Sequence, residues 1–372
     1  MNFFSCTLVL VLTCAFIHVF CLLLKRTTKP TYKLPPGPSP LPIIGNLLEL
    51  GQKPHKSLAK LAKIYGPLMS LKLGQITTVV ISSSTMAKQV LLTNDKFLSN
   101  RTVPQSVSVL NHDQYSLAFT PISPLWKELR KICNTQLLSH KSLDASQDVR
   151  RMKIRQLLSD IHQSSQIGEA IDIGTIVFKT TINLLSNTIF SVDLIQSNGA
   201  AGEFKDLATD ITKLMLDPQG LKRRQTKNVT KVLDIFGDLI NQRLEKRECT
   251  RVDTCKDMLD AMLNISKDNE FMDKNMIQHL SLDIFVAGTD TTTSTLEWAM
   301  TELINNPEAM RKAKKELEET IGCGVPLEES NISDLPYLHA IIKETLRKHP
   351  PVPFLLPRKA ERDVEICGYT IP

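Results

Sequence analysis

The 372 residues hold no Cys-x-x-Cys and no His-x-x-x-His, so a structural zinc site has no ligand frame. The eight cysteines show no paired spacing, and Cys6, Cys14 and Cys21 fall in the first hydrophobic run. A disulfide scaffold is therefore not indicated, and a reduced, cytosol-facing chain is the simpler reading. No block of Lys and Arg is dense, and the net charge is only +6, which argues against a nucleic-acid surface. There is no internal repeat, and no glycine stretch ends in the Gly-Lys-Ser/Thr of a phosphate loop.

What is present begins with a long apolar run. Phe3 to Leu24 is nearly continuous hydrophobic sequence, long enough to cross a bilayer as one helix. No basic residue precedes it and no small-x-small cleavage site follows, so a retained anchor over 1–24 is expected in place of a cleaved signal. Lys25, Arg26, Lys29 and Lys33 come next, with no acid before Glu49, which puts the remainder on the cytosolic side. Residues 25–50 form a basic and Pro-rich hinge. In its Pro35-Pro-Gly-Pro-Ser-Pro core each proline fixes φ and keeps the preceding residue extended. Ile43, Ile44, Leu47 and Leu48 suggest that the hinge packs onto a domain spanning 51–372.

That domain reads as mainly α with a small N-terminal β-sheet. Ser57 to Tyr65 is helical. Leu68-Met-Ser-Leu-Lys-Leu and Ile76-Thr-Thr-Val-Val-Ile flank Gly74-Gln75 as a hairpin. After about residue 125 almost everything has helical period, with polar loops expected at 197–203, 217–228 and 266–274. Asp363 to Pro372 reads as two short strands turning at Cys367-Gly368.

The organising stretch is Met276 to Met300. Ile277, Leu280, Ile284, Ala287, Thr291, Thr295 and Trp298 recur at steps of three and four, one face of a helix. Its middle is poor helix material: Gly288 adjoins Thr289, Thr291, Thr292, Thr293 and Thr295. A Thr291 hydroxyl bonded to the Ala287 carbonyl would bend the ladder. The pattern describes a long central helix loosened at one turn, with hydroxyls lining room beside it, or else a plain Gly/Thr packing contact.

Two further constellations stand out. In Ser123-Pro-Leu-Trp-Lys-Glu-Leu-Arg-Lys131, Ser123 can cap and Pro124 suits the first helical position. Trp126 and Arg130, four apart, share a face, and a planar cation beside an indole suits a carboxylate. In Asp334 to Pro351, Glu344 and Arg347 lie three apart on the side away from Leu338, Ile341 and Thr345, and local pattern alone makes them an exposed pair. Pro353, Pro357 and Arg358 then give an extended segment carrying another cation.

Taken in order, the anchor, the Pro-Pro-Gly-Pro hinge, Trp-x-x-x-Arg, Ala-Gly-Thr-Asp-Thr-Thr, Glu-x-x-Arg and Pro-x-x-Pro-Arg resemble the cytochrome P-450 family of haem-thiolate monooxygenases, plant microsomal type. Within it, Phe97-Leu-Ser-Asn-Arg-Thr-Val-Pro104 looks most like the monoterpenol hydroxylases. The resemblance implies haem as cofactor, NADPH electrons through a membrane flavoprotein reductase, a small apolar substrate, and an endoplasmic reticulum location facing the cytosol. It implies that Ala287 and Gly288 flank the dioxygen site, that Thr291 organises water there, and that Asp290 helps deliver protons. Trp126, Arg130 and Arg358 would meet haem propionates. Glu344 and Arg347 would form a buried network, against the exposed pair of the local pattern. Val286, Ala287 and the segment 106–109 would touch substrate, and Lys127 and Lys131 would dock an acidic partner. The family's iron ligand is the Cys of a Phe-x-x-Gly-x-Arg-x-Cys-x-Gly loop. None of the eight cysteines stands in such a loop, so the chain is expected to stop short of it and to lack activity as it stands. A membrane-anchored helical binding protein without chemistry is the alternative.

Overall fold

The computed structural model describes residues 33–196, 198–216, 222–250, 257–269, 271–322, 324–326 and 328–372, with Leu12, Thr13 and Phe16. The anchor expected over 1–24 falls almost wholly outside them. Among the described residues no helix is long and apolar enough to cross a membrane. The chain divides into two compact units, one of residues up to 100 together with 358–372, the other of 101–357.

The first unit carries the small sheets. Helix α1 (Pro54–Tyr65) starts with proline in its first turn and stops at Gly66, whose φ is 98°. Strands β1 (Leu68–Leu73) and β2 (Ile76–Ile81) pair antiparallel, Leu68 with Ile81 through Leu73 with Ile76, around Gly74 at φ 60°. This is the hairpin the alternation predicts. The proline hinge is strapped along β1. Ser70 donates its N–H to Pro36 O at 2.9 Å and its hydroxyl to Pro35 O at 2.7 Å, while Lys72 N–H reaches Asn46 Oδ1 at 2.8 Å. Gly37 permits this approach, because a Cβ there would sit 1.8 Å from Ser70 O. Strands β3 (Val364–Ile366) and β4 (Tyr369–Ile371) turn at Cys367 and Gly368, as expected. Leu68, Leu98, Val364 and Ile366 form the buried core of this part.

The second unit is helical: α2 (Pro124–Ile132), α3 (Gln147–Gln166), α4 (Ile173–Phe190), α5 (Asn198–Leu216), α6 (Lys222–Thr250), α7 (Met258–Asp268), α8 (Lys274–Asn305), α9 (Pro307–Thr320) and α10 (Pro336–Lys348). Helix α8 packs against α4, α5, α6, α9 and α10, so the predicted central helix is central to this unit. Asp273 caps it by accepting from Met276 N–H at 2.7 Å. Phe285 stacks into Phe190 and Phe236, and the three rings anchor the middle of α8 to α4 and α6.

Two sequence expectations fail here. The polar loop at 197–203 is helix from Asn198, and only 217–221 of the second loop lies outside the described residues, since α6 begins at Lys222. Nor is α8 interrupted. It runs as one α-helix through Gly288 and the threonines.

Candidate functional site

The site is built on α8, and its chemistry follows from which way each residue of Ala287-Gly-Thr-Asp-Thr291 faces. Leu282, Phe285, Thr289 and Thr293 are buried, whereas Ala287 is exposed and Thr291 half-buried. The face drawn by Ala287, Thr291 and Trp298 is thus more open than the packed face of Leu282, Phe285, Thr289 and Thr293. The Thr291 hydroxyl donates to Ala287 O at 2.7 Å, the bond the spacing predicts. Ser281, Thr289, Thr295 and Thr301 do the same four residues back, each at 2.7 Å. These bonds supplement the helical ladder and do not break it, which is why propensity alone misjudged this turn.

Gly288 has a different partner from the one expected. A Cβ on it would lie 2.8 Å from Leu185 Cδ1, so the missing side chain admits Leu185 of α4. Gly288 is a packing contact here, not part of the open face. Alanine at 288 gains about 1 kcal/mol of helix propensity but must displace Leu185. Gly288→Ala is therefore expected to be more favourable in a Leu185→Ala background than in the wild type, by about 1 kcal/mol of coupling in urea denaturation. Additive effects would mean that the two helices do not meet there.

Asp290 points away from Thr291, toward α5. Burial raises its carboxyl above the ordinary carboxylate range. The Thr212 hydroxyl and the charges of Lys205 and Lys213 oppose that rise, and Glu297 adds to it. Lys205 is itself tied to Glu297 at 3.0 Å. Burial of this kind favours the neutral carboxyl over the carboxylate.

Helix α2 behaves as its sequence reads. Ser123 Oγ accepts from Trp126 N–H at 3.2 Å and Pro124 opens the helix. The Arg130 guanidinium lies 5.2 Å from the Trp126 ring centre, and Trp126 Nε1 donates to Leu117 O at 3.1 Å. Arg130 is exposed and enters no ion pair among the described residues. Arg358 sits in the other unit with its charge engaged, donating to Asp95 Oδ1 at 2.6 Å and to Leu98 O at 3.2 Å. Glu344 and Arg347 form a bidentate pair at 2.7 and 2.6 Å, but they are 55% and 69% exposed. The buried network implied by resemblance is corrected: no described element packs over that face of α10, and the pair stays in water as local periodicity indicates. Val107 and Val109 are likewise buried in the core, not lining an open surface.

A cluster of His112, His279 and Asp283 was not read from the sequence. His112 is fully buried, and its Nδ1 lies 2.9 Å from His279 Nδ1. His112 Nε2 is 3.2 Å from Asp283 Oδ1 without lining up as a hydrogen bond. Asp283 accepts the Leu117 N–H at 2.6 Å and the Ser116 hydroxyl at 3.0 and 2.9 Å. Burial, with neighbouring His112, pushes the His279 imidazole down to about 4, against Asp283 and Asp273. The signal available was one acid, Asp283, inside the apolar run Leu280 to Ala287 of a central helix.

Such an arrangement, a long central helix carrying an Ala-Gly-Thr-Asp-Thr turn and a separate short helix carrying a Trp–Arg pair, belongs to a defined class. Residues 35–372 match the cytochrome P450 family model, and the chain is a member of that family. Haem is therefore its cofactor and monooxygenation its reaction class. The chain is 47% identical over its whole length to geraniol 8-hydroxylase of Catharanthus roseus, covering 78% of that protein. It is 47% identical to geraniol 8-hydroxylase of Swertia mussotii over 93% of the chain and 72% of that protein. It is 45% identical to inactive cytochrome P450 76AD1 of Beta vulgaris, over 98% of the chain and 91% of that protein.

The residues fit part of a haem. Ala287 and Thr291 offer a small, hydroxyl-bearing face, and Arg130 offers a guanidinium without a carboxylate partner. No described cysteine suits a thiolate ligand to haem iron. Burial, with Asp283 nearby, pushes the Cys133 thiol up to about 11. Cys249 and Cys367 are exposed, in α6 and in the β3–β4 turn. Among the described residues no group of His, Cys, Asp and Glu is arranged to hold a metal ion.

Proposed function

We propose that the protein hydroxylates a small apolar molecule of the monoterpenol kind, drawing electrons from NADPH through a membrane flavoprotein reductase. The open Ala287–Thr291 face of α8 carries this reading, and the two geraniol 8-hydroxylases at 47% identity support its substrate class. Haem, when bound, supplies the activation of dioxygen. Ala287 would present a small apolar face to it. Thr291 would offer a hydroxyl there that can order water. Asp290, its carboxyl raised by burial beside Thr212 of α5, would help to pass protons toward that turn. Trp126 and Arg130 receive a carboxylate. Lys127 and Lys131 are exposed on α2 and suit an acidic partner, with Lys131 only 3.6 Å from Glu128. The apolar run over 3–24 and the basic residues after it support a location at the endoplasmic reticulum membrane with the domain in the cytosol.

A second reading, a membrane-anchored P450-like chain that binds without chemistry, draws support from the relative named inactive. Thr291→Val separates them. The substitution deletes one helix-bonded hydroxyl, so stability should change by about 1 kcal/mol at most. Product formed per NADPH consumed should fall several-fold while haem content is unchanged. An unchanged ratio makes Thr291 a packing residue. A chain that takes up no haem and consumes no NADPH favours the second reading.

A further inference from the structure

We infer that Asp283 is a positioning residue: through the backbone of Leu117 it sets the Trp126–Arg130 pair against α8. Both backbone groups of Leu117 are committed. Its N–H donates to Asp283 Oδ2 at 2.6 Å, and its carbonyl accepts from Trp126 Nε1 at 3.1 Å. Arg130 lies 5.2 Å from the centre of that same indole. A continuous path therefore runs from the long helix, through one residue, to the exposed cation.

The segment that carries Leu117 has to be held in place. Leu110 and Asn111 stand consecutively in left-handed backbone, at φ 53° and 58°, a conformation that non-glycine residues keep only where their surroundings enforce it. The enforcing contacts come from α8. His279 and Asp283, four residues apart, lie on one side of that helix. His279 meets His112 at 2.9 Å, and its ring stacks at 4.8 Å on Tyr115, with 8° between the planes. One turn on, Asp283 takes the Ser116 hydroxyl and the Leu117 N–H, and Ser116 Oγ in turn accepts from Ala118 N–H at 3.2 Å. The two anchors bracket residues 112–117, and the second passes directly to Trp126. A carboxylate suits this role because it accepts several donors at once and bonds more strongly than a neutral acceptor.

The inference rests on the reading of Trp126 and Arg130 as a carboxylate-facing pair, and the test keeps the two apart. In a Trp298→Phe background Trp126 is the sole indole, and its quenching by acrylamide reports how firmly it is held. Asp283→Ala is expected to raise the quenching constant at least twofold. Ile240→Ala, a core substitution in α6 outside the path, serves as a control for general loosening. Compared at equal distance below their melting temperatures, the control should leave Trp126 quenching as in the wild type. Equal rises in both variants would overturn the inference. If Asp283→Ala does not fold, Asp283→Asn, which loses the charge but keeps one oxygen, carries the same comparison with the same two outcomes. Separately, haem titration of the full chain is expected to give about five- to tenfold weaker uptake for Asp283→Ala and for Arg130→Ala. Weakened quenching protection with unchanged haem uptake would leave the path standing and remove the carboxylate-facing role.

Discussion

A Phe285→Ala chain is expected to lose about 3–5 kcal/mol of stability, seen as a lower urea midpoint at unchanged slope. Phe285 is 4% exposed and sits between two other rings, 4.9 Å from Phe236 and 6.1 Å from Phe190, with 5.4 Å between those two. Truncation removes a full aromatic side chain and two edge or offset contacts, and the cavity lies among three helices that cannot all close on it. The loss is a large fraction of the 5–15 kcal/mol that holds a typical domain. Phe285→Leu should recover most of it, being closer in volume. A loss under about 1 kcal/mol would mean that the centre of α8 is not fixed by these rings. Function should suffer with stability, since Ala287 and Thr291 begin two residues further along the same helix.

The second large effect is on pH dependence. His279 titrates near 4 in the folded chain, against about 6.5 in an unfolded one. Between those values the unfolded chain binds a proton that the folded chain refuses, so stability falls as pH is lowered from about 6.5 toward 4 and levels off below that. The single group accounts for about 3 kcal/mol at most over the window. His112, Tyr115 and Asp283 surround it, with Asp273 acting from the start of α8. His279→Gln removes the titrating group. The difference in unfolding free energy between wild type and variant should therefore shift by about 2–3 kcal/mol in favour of the variant between pH 7.5 and 4.5. A difference that stays flat across that range would show that His279 is protonated freely in the native chain.

Local interactions were legible in the sequence and remote ones were not. The Leu68–Ile81 hairpin follows from two alternating runs around Gly74, and the Thr291–Ala287 bond follows from a four-residue step. Ser123 and Pro124 announce α2 because capping involves only neighbours. Asn198 to Glu203, by contrast, is small and polar enough to read as loop, yet the helix α5 begins at Asn198, so that weak local preference did not decide the outcome. Gly288 advertised missing bulk but could not say that Leu185, more than a hundred residues away in the chain, takes up the space. Asp283 and Leu117 are 166 residues apart, so nothing in either neighbourhood reveals their bond. The Glu344–Arg347 pair shows the converse: local spacing gave its exposure, and resemblance suggested a burial that the described residues do not provide.

The first unit is split in the chain, and this has a consequence during synthesis. Its core joins Leu68 and Leu98 to Val364 and Ile366, and Thr370 N–H closes on Lys33 O at 2.8 Å. Ribosomes extend chains at roughly 5–20 residues per second, so the stretch 101–357 takes on the order of ten to fifty seconds to emerge. Throughout that interval the β1–β2 hairpin waits with one side of its core uncovered, while the helical unit, whose residues are contiguous in the chain, completes itself around α8 by its end. The nascent hairpin is then a natural client for a chaperone until β3 and β4 follow the helical unit out, as the latch that ends the wait.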